Sequence, residues 1–232
     1  MNLNRILFLG SVTAIILVGA FAPMESVSAG EPAAANDHTS SSYTDLSTVN
    51  SPEIPASVKF AGKEISLDPI DMWERLDREL TAMSYTHGNT LLAIKRANRY
   101  FPVIAPILKE RGVPSDIIYL AAIESTLNPH AVSVAKAAGM WQFMPSTAKE
   151  YGLEVNDEVD QRYDVEKSTR AACKYLKDAY KKYGNWESVA ASYNGGMGRV
   201  SKELAAQNAT SAYDLWLADE TMRYIFRLLA MK

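Results

Sequence analysis

The sequence predicts a mainly α-helical domain with a small β-hairpin at its N-terminal end. Apolar and polar residues alternate across residues 58–67 around Gly62, which is typical of two short strands joined by a tight turn. From Asp68 onward the apolar residues instead recur at steps of three and four, the period of an amphipathic helix. The sequence contains no internal repeat, so we expect one folded domain rather than an array of units.

Composition and charge exclude several classes of function. Of the 232 residues, 47% are hydrophobic and 22% are charged, and the net charge at pH 7 is −3. This weakly acidic balance argues against nucleic acid as a partner. The sequence has no glycine-rich phosphate-binding motif, so we expect no nucleotide. One cysteine and three scattered histidines provide no metal-binding pattern, and we expect neither a metal nor another cofactor.

The N-terminal part of the chain is predicted to lie outside the folded domain. A basic start at Arg5 precedes an apolar run at residues 6–21 and a small-residue site that ends at Ala29. This pattern indicates a signal peptide over residues 1–29, and hence export to the periplasm or cell envelope. The alternative is an uncleaved membrane anchor, which would give the protein its only membrane contact; a spanning helix, however, needs about 20 apolar residues. Residues 30–55 are rich in Ser, Thr, Ala and Pro and predict a disordered linker.

The folded domain is expected to span residues 56–232. Residues 56–111 would contain the hairpin and a helical N-terminal part, and residues 112–232 would form a core with the residues that carry chemistry. Because a two-stranded hairpin is only marginally stable by itself, we expect residues 58–67 to pack against the helices.

Two helices are predicted after the hairpin. The apolar face of the first helix would consist of Trp73, Leu76, Leu80 and Met83. The second helix is predicted to start near Asn89 and to include Leu92 and Ile94 on its apolar side. We expect Pro102 and Pro106 to interrupt it, because proline lacks the N–H group that continues a helix.

A single charge on the apolar face of the next helix is the main candidate for catalysis. Ile117, Leu120, Ala121 and Glu124 follow one another at helical spacing, so they share one face. Burial of a carboxyl group without a partner raises its pKa, and a carboxyl group that is protonated near neutral pH acts as a general acid. The structural alternative is that Glu124 points to solvent or pairs with an arginine.

An aromatic segment with one amide follows at residues 139–145, GMWQFMP. Gln142 lies between two aromatic residues and is expected to be half-buried, so its amide needs partners. Those partners would be a sugar hydroxyl, an N-acetyl group or a backbone carbonyl. Met144 is either a pocket residue or part of the core.

Two further helices are indicated by their cap residues. Asp164 precedes residues 165–183, whose small and aromatic residues lie on one face and whose basic residues lie on the other, as in an amphipathic helix. Cys173 lies beside the apolar face and is expected to be buried rather than reactive. Asn185 is expected to cap the helix that starts at Trp186.

Residues 193–198, YNGGMG, combine a possible sugar contact with a tight turn. Tyr193 and Asn194 offer an aromatic ring, a phenol and an amide, which suit the apolar faces and hydroxyl edges of a sugar. Three glycines let the backbone turn and approach a neighbour closely. The alternative is an ordinary corner between two helices with a tyrosine in the core. Residues 220–224 begin a last helix.

Together these segments resemble the soluble-lytic-transglycosylase family. The resemblance is carried, in family order and spacing, by Glu124-Ser125, by residues 139–145, by residues 191–196 (ASYNGG) and by residues 220–224 (ETMRY). It covers residues 56–232. The form WQFMP, together with Asp160 and Arg162, is most similar to the membrane-bound murein transglycosylase D group.

The resemblance implies a fold, a reaction and a partner. The fold would be like that of goose-type lysozyme. The reaction would cleave the β-1,4 bond between N-acetylmuramic acid and N-acetylglucosamine in peptidoglycan glycan strands, leaving a 1,6-anhydromuramyl end. Glu124 would protonate the leaving oxygen and then accept the proton of the muramyl C6 hydroxyl. The family uses one catalytic glutamate and no cofactor.

The resemblance also implies substrate-binding residues. Ser133 would orient the N-acetyl group or the C6 oxygen, and Gln142 and Met144 would line the muramyl subsite. Tyr193 would lie near Glu124 and C1 of the sugar.

The remaining assignments lie further along the chain. Asn194 would hold the glycine turn or a sugar hydroxyl, and Glu220 and Tyr224 would complete the glucosamine side of the groove. Asp160 and Arg162 are interpreted as structural. Two alternatives to the transglycosylase are a muramidase that hydrolyses the same bond and a non-catalytic peptidoglycan-binding protein.

Overall fold

The structure is a computed structural model that describes residues 52–217 and 219–232, without the side chain of His87. The predicted signal peptide, residues 1–29, and residues 30–51 of the predicted linker lie outside the described residues. The prediction of a mainly α-helical chain with a small hairpin is confirmed. The regular elements are β1 (Ser57–Phe60), β2 (Lys63–Ser66), α1 (Ile70–Tyr85), α2 (His87–Glu110), α3 (Ile118–Ser125), α4 (Pro145–Glu150), α5 (Val165–Tyr183), α6 (Trp186–Gly195), α7 (Met197–Ala206) and α8 (Asp219–Met231).

The hairpin forms where the sequence predicts it. β1 and β2 are antiparallel, and Phe60 pairs with Lys63, so Ala61 and Gly62 form a two-residue turn. Both turn residues have positive φ, 49° and 84°, as a type I′ turn requires. Phe60 and Ile65 are buried in the main core, so the hairpin packs against the helices as expected.

The continuous course of α2 contradicts the predicted interruption. The helix begins at His87 rather than near Asn89, and both Pro102 and Pro106 lie inside it. The two prolines are exposed and four residues apart, so they lie on the same side of the helix. The carbonyl groups that lose an N–H partner therefore face solvent, where water can bind them.

Some apolar residues of α1 and α2 do not reach the core that the helical pattern predicts for them. Trp73, Leu92 and Ile94 are 40%, 44% and 59% exposed. The large apolar residues that α2 does bury, such as Ile104 and Leu108, lie in its C-terminal half. Among the described helices, none combines the length and apolar character needed to cross a membrane.

The core surrounds α3. Its residues Ile118, Leu120, Ala121 and Ala122 are buried, and α3 contacts both α2 and α8. Helix α8 in turn packs against α1, α3 and α6. This arrangement places α8 between α1 and the helix that carries the candidate acid.

Helices α5 and α6 form as their cap residues predict. The side chain of Asp164 accepts a hydrogen bond from the backbone N–H of Lys167, and Asn185 accepts one from Ser188. Cys173 lies in the core as predicted, and burial raises the pKa of its thiol to about 11. The thiol is therefore protonated at neutral pH.

Arg162 ties together the loop between α3 and α4. The buried guanidinium donates to both carboxylate oxygens of Asp160 and to the carbonyl oxygens of Lys136 and Phe143, at 2.9 Å and 3.0 Å. Gly139 lies directly against this residue, since a Cβ atom added to it would be 1.9 Å from the Arg162 carbonyl oxygen. These contacts support the structural interpretation of Asp160 and Arg162.

Candidate active site

Glu124 lies in the last turn of α3 and is partly buried. Ile117, Leu120 and Ala121 are fully buried, so the apolar stripe faces the core as the sequence predicts. The helix ends one residue after Glu124, at Ser125, because Thr126 adopts a left-handed conformation with φ 54°. Glu124 thus lies at the boundary between the core and the surface.

Tyr224 of α8 contacts this carboxyl group directly. Its hydroxyl donates a hydrogen bond to Glu124 Oε1 at 2.6 Å. The ring is 3% exposed, and burial together with the charge of Glu124 raises the pKa of the phenol well above its ordinary value. The hydroxyl therefore keeps its proton and remains a donor. This contact lies on the candidate acid itself, whereas the family resemblance implied a place for Tyr224 on the glucosamine side of the groove.

The protonation of Glu124 is set by opposing effects. Burial is the largest and raises the pKa of the carboxyl group from 4.5 to about 7. The hydrogen bond from Tyr224 and the positive charge of Arg227 lower it, and the negative charge of Glu220 raises it. Glu124 is therefore close to half-protonated at neutral pH, the condition under which one carboxyl group both gives and takes a proton.

The raised pKa of Glu124 predicts that the protein loses stability as the pH rises. Between about pH 4.5 and 7 the folded state binds this proton more tightly than the unfolded state. The free energy of unfolding therefore falls as the pH rises through this range. Above about pH 7, Glu124 is ionised in both states and the loss of stability is complete. We expect Glu124→Gln to be more stable than the wild type by about 1–3 kcal/mol at about pH 8 and equally stable at about pH 4. Urea unfolding at both pH values measures this; the same difference at both would contradict it.

Tyr193 of α6 lies near Glu124, but its hydroxyl is hydrogen-bonded to the backbone. Its hydroxyl donates to the Trp141 carbonyl oxygen at 2.7 Å, and the ring is buried. Burial is the main cause of its raised pKa, and the charge of Glu124 contributes, which is consistent with the proximity that the resemblance implies. The Tyr193 ring also meets the Trp141 and Phe143 rings edge-on. Tyr193 thus supports the floor of the site.

Gln142 is more buried than predicted, and its amide has backbone partners. Its Nε2 donates to the carbonyl oxygens of Ala131 and Gly139, at 3.2 Å and 2.8 Å. Its φ of 49° is positive, which is uncommon for a residue other than glycine and marks a locally constrained backbone. Ser125 attaches the same segment to α3, because its hydroxyl donates to the Met140 carbonyl oxygen at 2.8 Å.

Ser133 lies in the middle of the loop between α3 and α4, and Met144 lies at its end. The Ser133 side-chain oxygen accepts a hydrogen bond from the N–H of Ala137 at 3.0 Å, so it closes a small turn. Met144 is partly buried and is the cap residue of α4. Both side chains retain some exposure.

Asn194 joins α6 to α8. Its Oδ1 accepts a hydrogen bond from the Thr221 hydroxyl at 2.9 Å. Gly195 lies against the same threonine, because an added Cβ would be 3.2 Å from the Thr221 methyl group. The glycine turn therefore allows the close approach predicted for it, and the neighbour is the start of α8.

Sequence reasoning missed an ionic cluster behind Tyr224. Glu79 of α1 is 2% exposed and binds Arg223 and Arg227 of α8. Glu220, Arg223, Tyr224 and Arg227 follow at steps of three, one and three, so they share one face of α8. This spacing was a signal of a functional helix face, but only the packing of α8 against α1 identifies Glu79 as the partner.

Comparisons with known proteins place this chain among lytic transglycosylases in sequence. The family model described as the Transglycosylase SLT domain matches residues 101–215. Membrane-bound lytic murein transglycosylase D of Escherichia coli is 38% identical over 163 residues, which cover 68% of this chain and 35% of that protein. Membrane-bound lytic murein transglycosylase C of Haemophilus ducreyi is 33% identical over 84 residues, covering 32% of this chain and 23% of that protein.

A solved structure supports the fold. The 70 kDa soluble lytic transglycosylase of Escherichia coli superposes with a TM-score of 0.50 and 20% identity, covering 67% of this chain and 29% of that chain. The present chain therefore spans about a third or less of the length of these relatives. The domain match and the sequence relatives show that this chain belongs to the soluble-lytic-transglycosylase family.

Proposed function

We propose that this chain is a peptidoglycan lytic transglycosylase. It would cleave the β-1,4 bond between N-acetylmuramic acid and N-acetylglucosamine and leave a 1,6-anhydromuramyl end. One observation carries the proposal: the carboxyl group of Glu124 is partly buried, has a pKa of about 7 and is held by the Tyr224 hydroxyl. The membership of the family supplies the reaction class.

In the first step, protonated Glu124 acts as the general acid. It gives its proton to the glycosidic oxygen as the bond from that oxygen to C1 of the muramyl sugar breaks. Positive charge then develops at C1. The carboxylate that remains is stabilised by the Tyr224 hydroxyl and by the positive charge of Arg227, the two groups that lower its pKa.

In the second step, ionised Glu124 acts as the base. It takes the proton of the muramyl C6 hydroxyl, and the C6 oxygen forms a bond to C1. The attacking hydroxyl belongs to the sugar itself, so its effective concentration is high and the step needs no water. Glu124 ends the cycle protonated, as it began.

The substrate would lie along residues from the loop after α3 and from α8. We assign Gln142, Met144 and Ser133 to the muramyl side and Glu220 to the glucosamine side. Gln142 Nε2 already has two backbone acceptors, so its Oε1 is the atom we assign to a sugar donor. Of the other predicted contacts, the Tyr193 hydroxyl and the Asn194 Oδ1 have partners within the protein, so these two residues would support the pocket wall.

The partner and location follow from the same proposal. The partner would be the glycan strand of peptidoglycan, and the protein would act in the cell envelope, as the names of its murein-cleaving relatives suggest. The predicted signal peptide is consistent with export.

The masses of the released products test the proposed reaction. We expect purified protein to release muropeptides from isolated sacculi with anhydromuramyl ends, each lighter by one water than the corresponding reducing end. Mass spectrometry of the soluble fraction measures the ratio of the two products. Products with reducing ends alone would contradict the transglycosylase, and no release above that from heat-treated protein would contradict an enzyme.

Glu220 favours a muramidase as the second candidate. Among the described residues, it is the one carboxylate whose charge raises the pKa of Glu124, and a second carboxylate near the acid is what a hydrolase uses to activate water. The same mass measurement separates the two reactions, because a hydrolase adds water to C1 and a transglycosylase does not.

A further inference from the structure

A buried glutamate on α1 lies behind the candidate catalytic site. Glu79 is 2% exposed, and a buried carboxylate is costly unless it is paired. Its Oε1 accepts a hydrogen bond from Arg223 Nε at 2.7 Å. Arg227 Nε lies 3.6 Å from the other carboxylate oxygen. The carboxylate thus holds two arginines that are four residues apart on α8.

The same stretch of α8 carries the hydroxyl on Glu124. Tyr224 lies between the two arginines in sequence, and its hydrogen bond to Glu124 is 2.6 Å long. Since α8 packs against α1 on one side and α3 on another, a contact chain runs from Glu79 through α8 to the acid. We propose that Glu79 is a positioning residue for the reaction, because its ion pairs with Arg223 and Arg227 keep Tyr224 hydrogen-bonded to Glu124.

The charged residues around Glu79 are consistent with its holding α8 in position. A third arginine, Arg78, approaches from the same helix as Glu79, with its Nε 3.3 Å from Oε1. Arg78 is half-exposed and also lies 3.8 Å from Asp219 at the start of α8. All of these ion pairs lie in or against the first three turns of α8, and the carboxylate of Glu79 is the most buried group among them.

The groups that face Glu124 determine whether its pKa should rise or fall when Glu79 is replaced. From α8 they are the Tyr224 hydroxyl and Arg227, which lower its pKa, and Glu220, which raises it; from α6, the Tyr193 phenol lies nearby. If Glu79 holds α8 in place, its loss weakens the interactions of Glu124 with the Tyr224 hydroxyl and with Arg227. Because both interactions lower the pKa of Glu124, that pKa then rises. If Glu79 acted only as a distant negative charge, its removal would lower that pKa.

Carbon-13 NMR titration of the Glu124 carboxyl, assigned with Glu124→Gln, tests the proposal. In Glu79→Gln we expect the pKa of Glu124 to rise by about half a unit to one unit. The kcat should fall about tenfold with KM within about twofold of the wild type, because positioning rather than binding is lost. Glu79→Asp should restore part of both effects.

Glu187→Gln is the matched control. Glu187 is also a buried glutamate with an ion pair, to Lys63 at 2.9 Å, but it lies on α6 and contacts the hairpin. We expect this variant to lose stability without a change in the pKa of Glu124. The same result for Glu79→Gln, or a lowered pKa of Glu124, would overturn the proposal.

Arg223→Gln serves if Glu79→Gln does not fold. Arg223 is partly exposed, so the direct effect of its charge on Glu124 is screened by salt. A rise in the pKa of Glu124 that persists at high salt would come through α8; an unchanged pKa, or a rise that disappears at high salt, would refute the proposal. The proposal rests on the proposed function only for its kinetic part. A wild type without activity would contradict that function, while the NMR titration would still decide the role of Glu79.

Discussion

Replacing Glu124 by glutamine is expected to reduce muropeptide release by about 10²–10⁴-fold while the fold is kept, the usual contribution of a general acid. Glutamine has nearly the same shape, and its Oε1 can still accept the hydrogen bond that Tyr224 donates to the glutamate. What it lacks is a proton to give to the glycosidic oxygen and a carboxylate to take one back. Initial rates of release from sacculi, with circular dichroism as a check of folding, measure the effect.

Glu203→Gln is a suitable control for this experiment. Glu203 is also partly buried and accepts one side-chain hydrogen bond, from Gln207 at 3.0 Å, but it lies on α7. We expect this variant to keep the rate of the wild type. If Glu124→Gln retained most of its activity, or if both variants were equally slow, Glu124 would not be the acid.

Gly139→Ala is expected to destabilise the protein by about 4 kcal/mol or more, which places it among the most damaging single substitutions. A Cβ atom at this position would lie 1.9 Å from the carbonyl oxygen of Arg162 and 2.7 Å from its carbonyl carbon. Both are backbone atoms, and the Arg162 side chain is held by Asp160 and two carbonyl groups, so neither side can move cheaply. Urea unfolding monitored by fluorescence measures the loss.

Gly62→Ala separates the steric conflict from the cost of the backbone conformation. Gly62 has a φ of +84°, close to the +81° of Gly139, but a Cβ there would have no atom within 4 Å. Its substitution should cost about 1–2 kcal/mol, the penalty for a left-handed alanine. Equal losses for the two variants would mean that the contact with Arg162 is relieved and does not constrain residues 139–145.

The elements that could be predicted from the sequence are those with local signals. Gly62 indicates the hairpin turn because glycine accepts the positive φ that a type I′ turn needs. Ala61 also has a positive φ, 49°, which is unfavourable for alanine. Helix α5 has the predicted bounds: Asp164 caps its start, and the structure ends it at Gly184, whose φ is +71°. These signals act over a few residues, so they do not depend on how distant parts of the chain pack.

The course of α2 could not be predicted from local rules. Proline at 102 and 106 disfavours a helix by itself, but burial of Ile104 and Leu108 in the core stabilises the helix as a whole. Tertiary packing outweighs local propensity at this site.

The candidate site also has features that the sequence could predict and features that depend on packing. The apolar stripe that ends at Glu124 is a pattern on one helix, and it predicted a raised pKa. That Tyr224 rather than Tyr193 binds the carboxyl group depends on how α8 packs, because both tyrosines lie more than 60 residues away in sequence. Glu79 was unpredictable for the same reason, since a glutamate on an amphipathic helix is ordinarily exposed.

Cys173 has a consequence for maturation. A thiol with a pKa of about 11 has almost no thiolate at neutral pH, and thiolate is the form that attacks a disulfide. Once folded, the domain would be inert toward oxidants and disulfide-exchange catalysts. The sulfur could form an intermolecular disulfide only before the chain has folded. The yield of monomer would therefore depend on how fast helix α5 packs into the core.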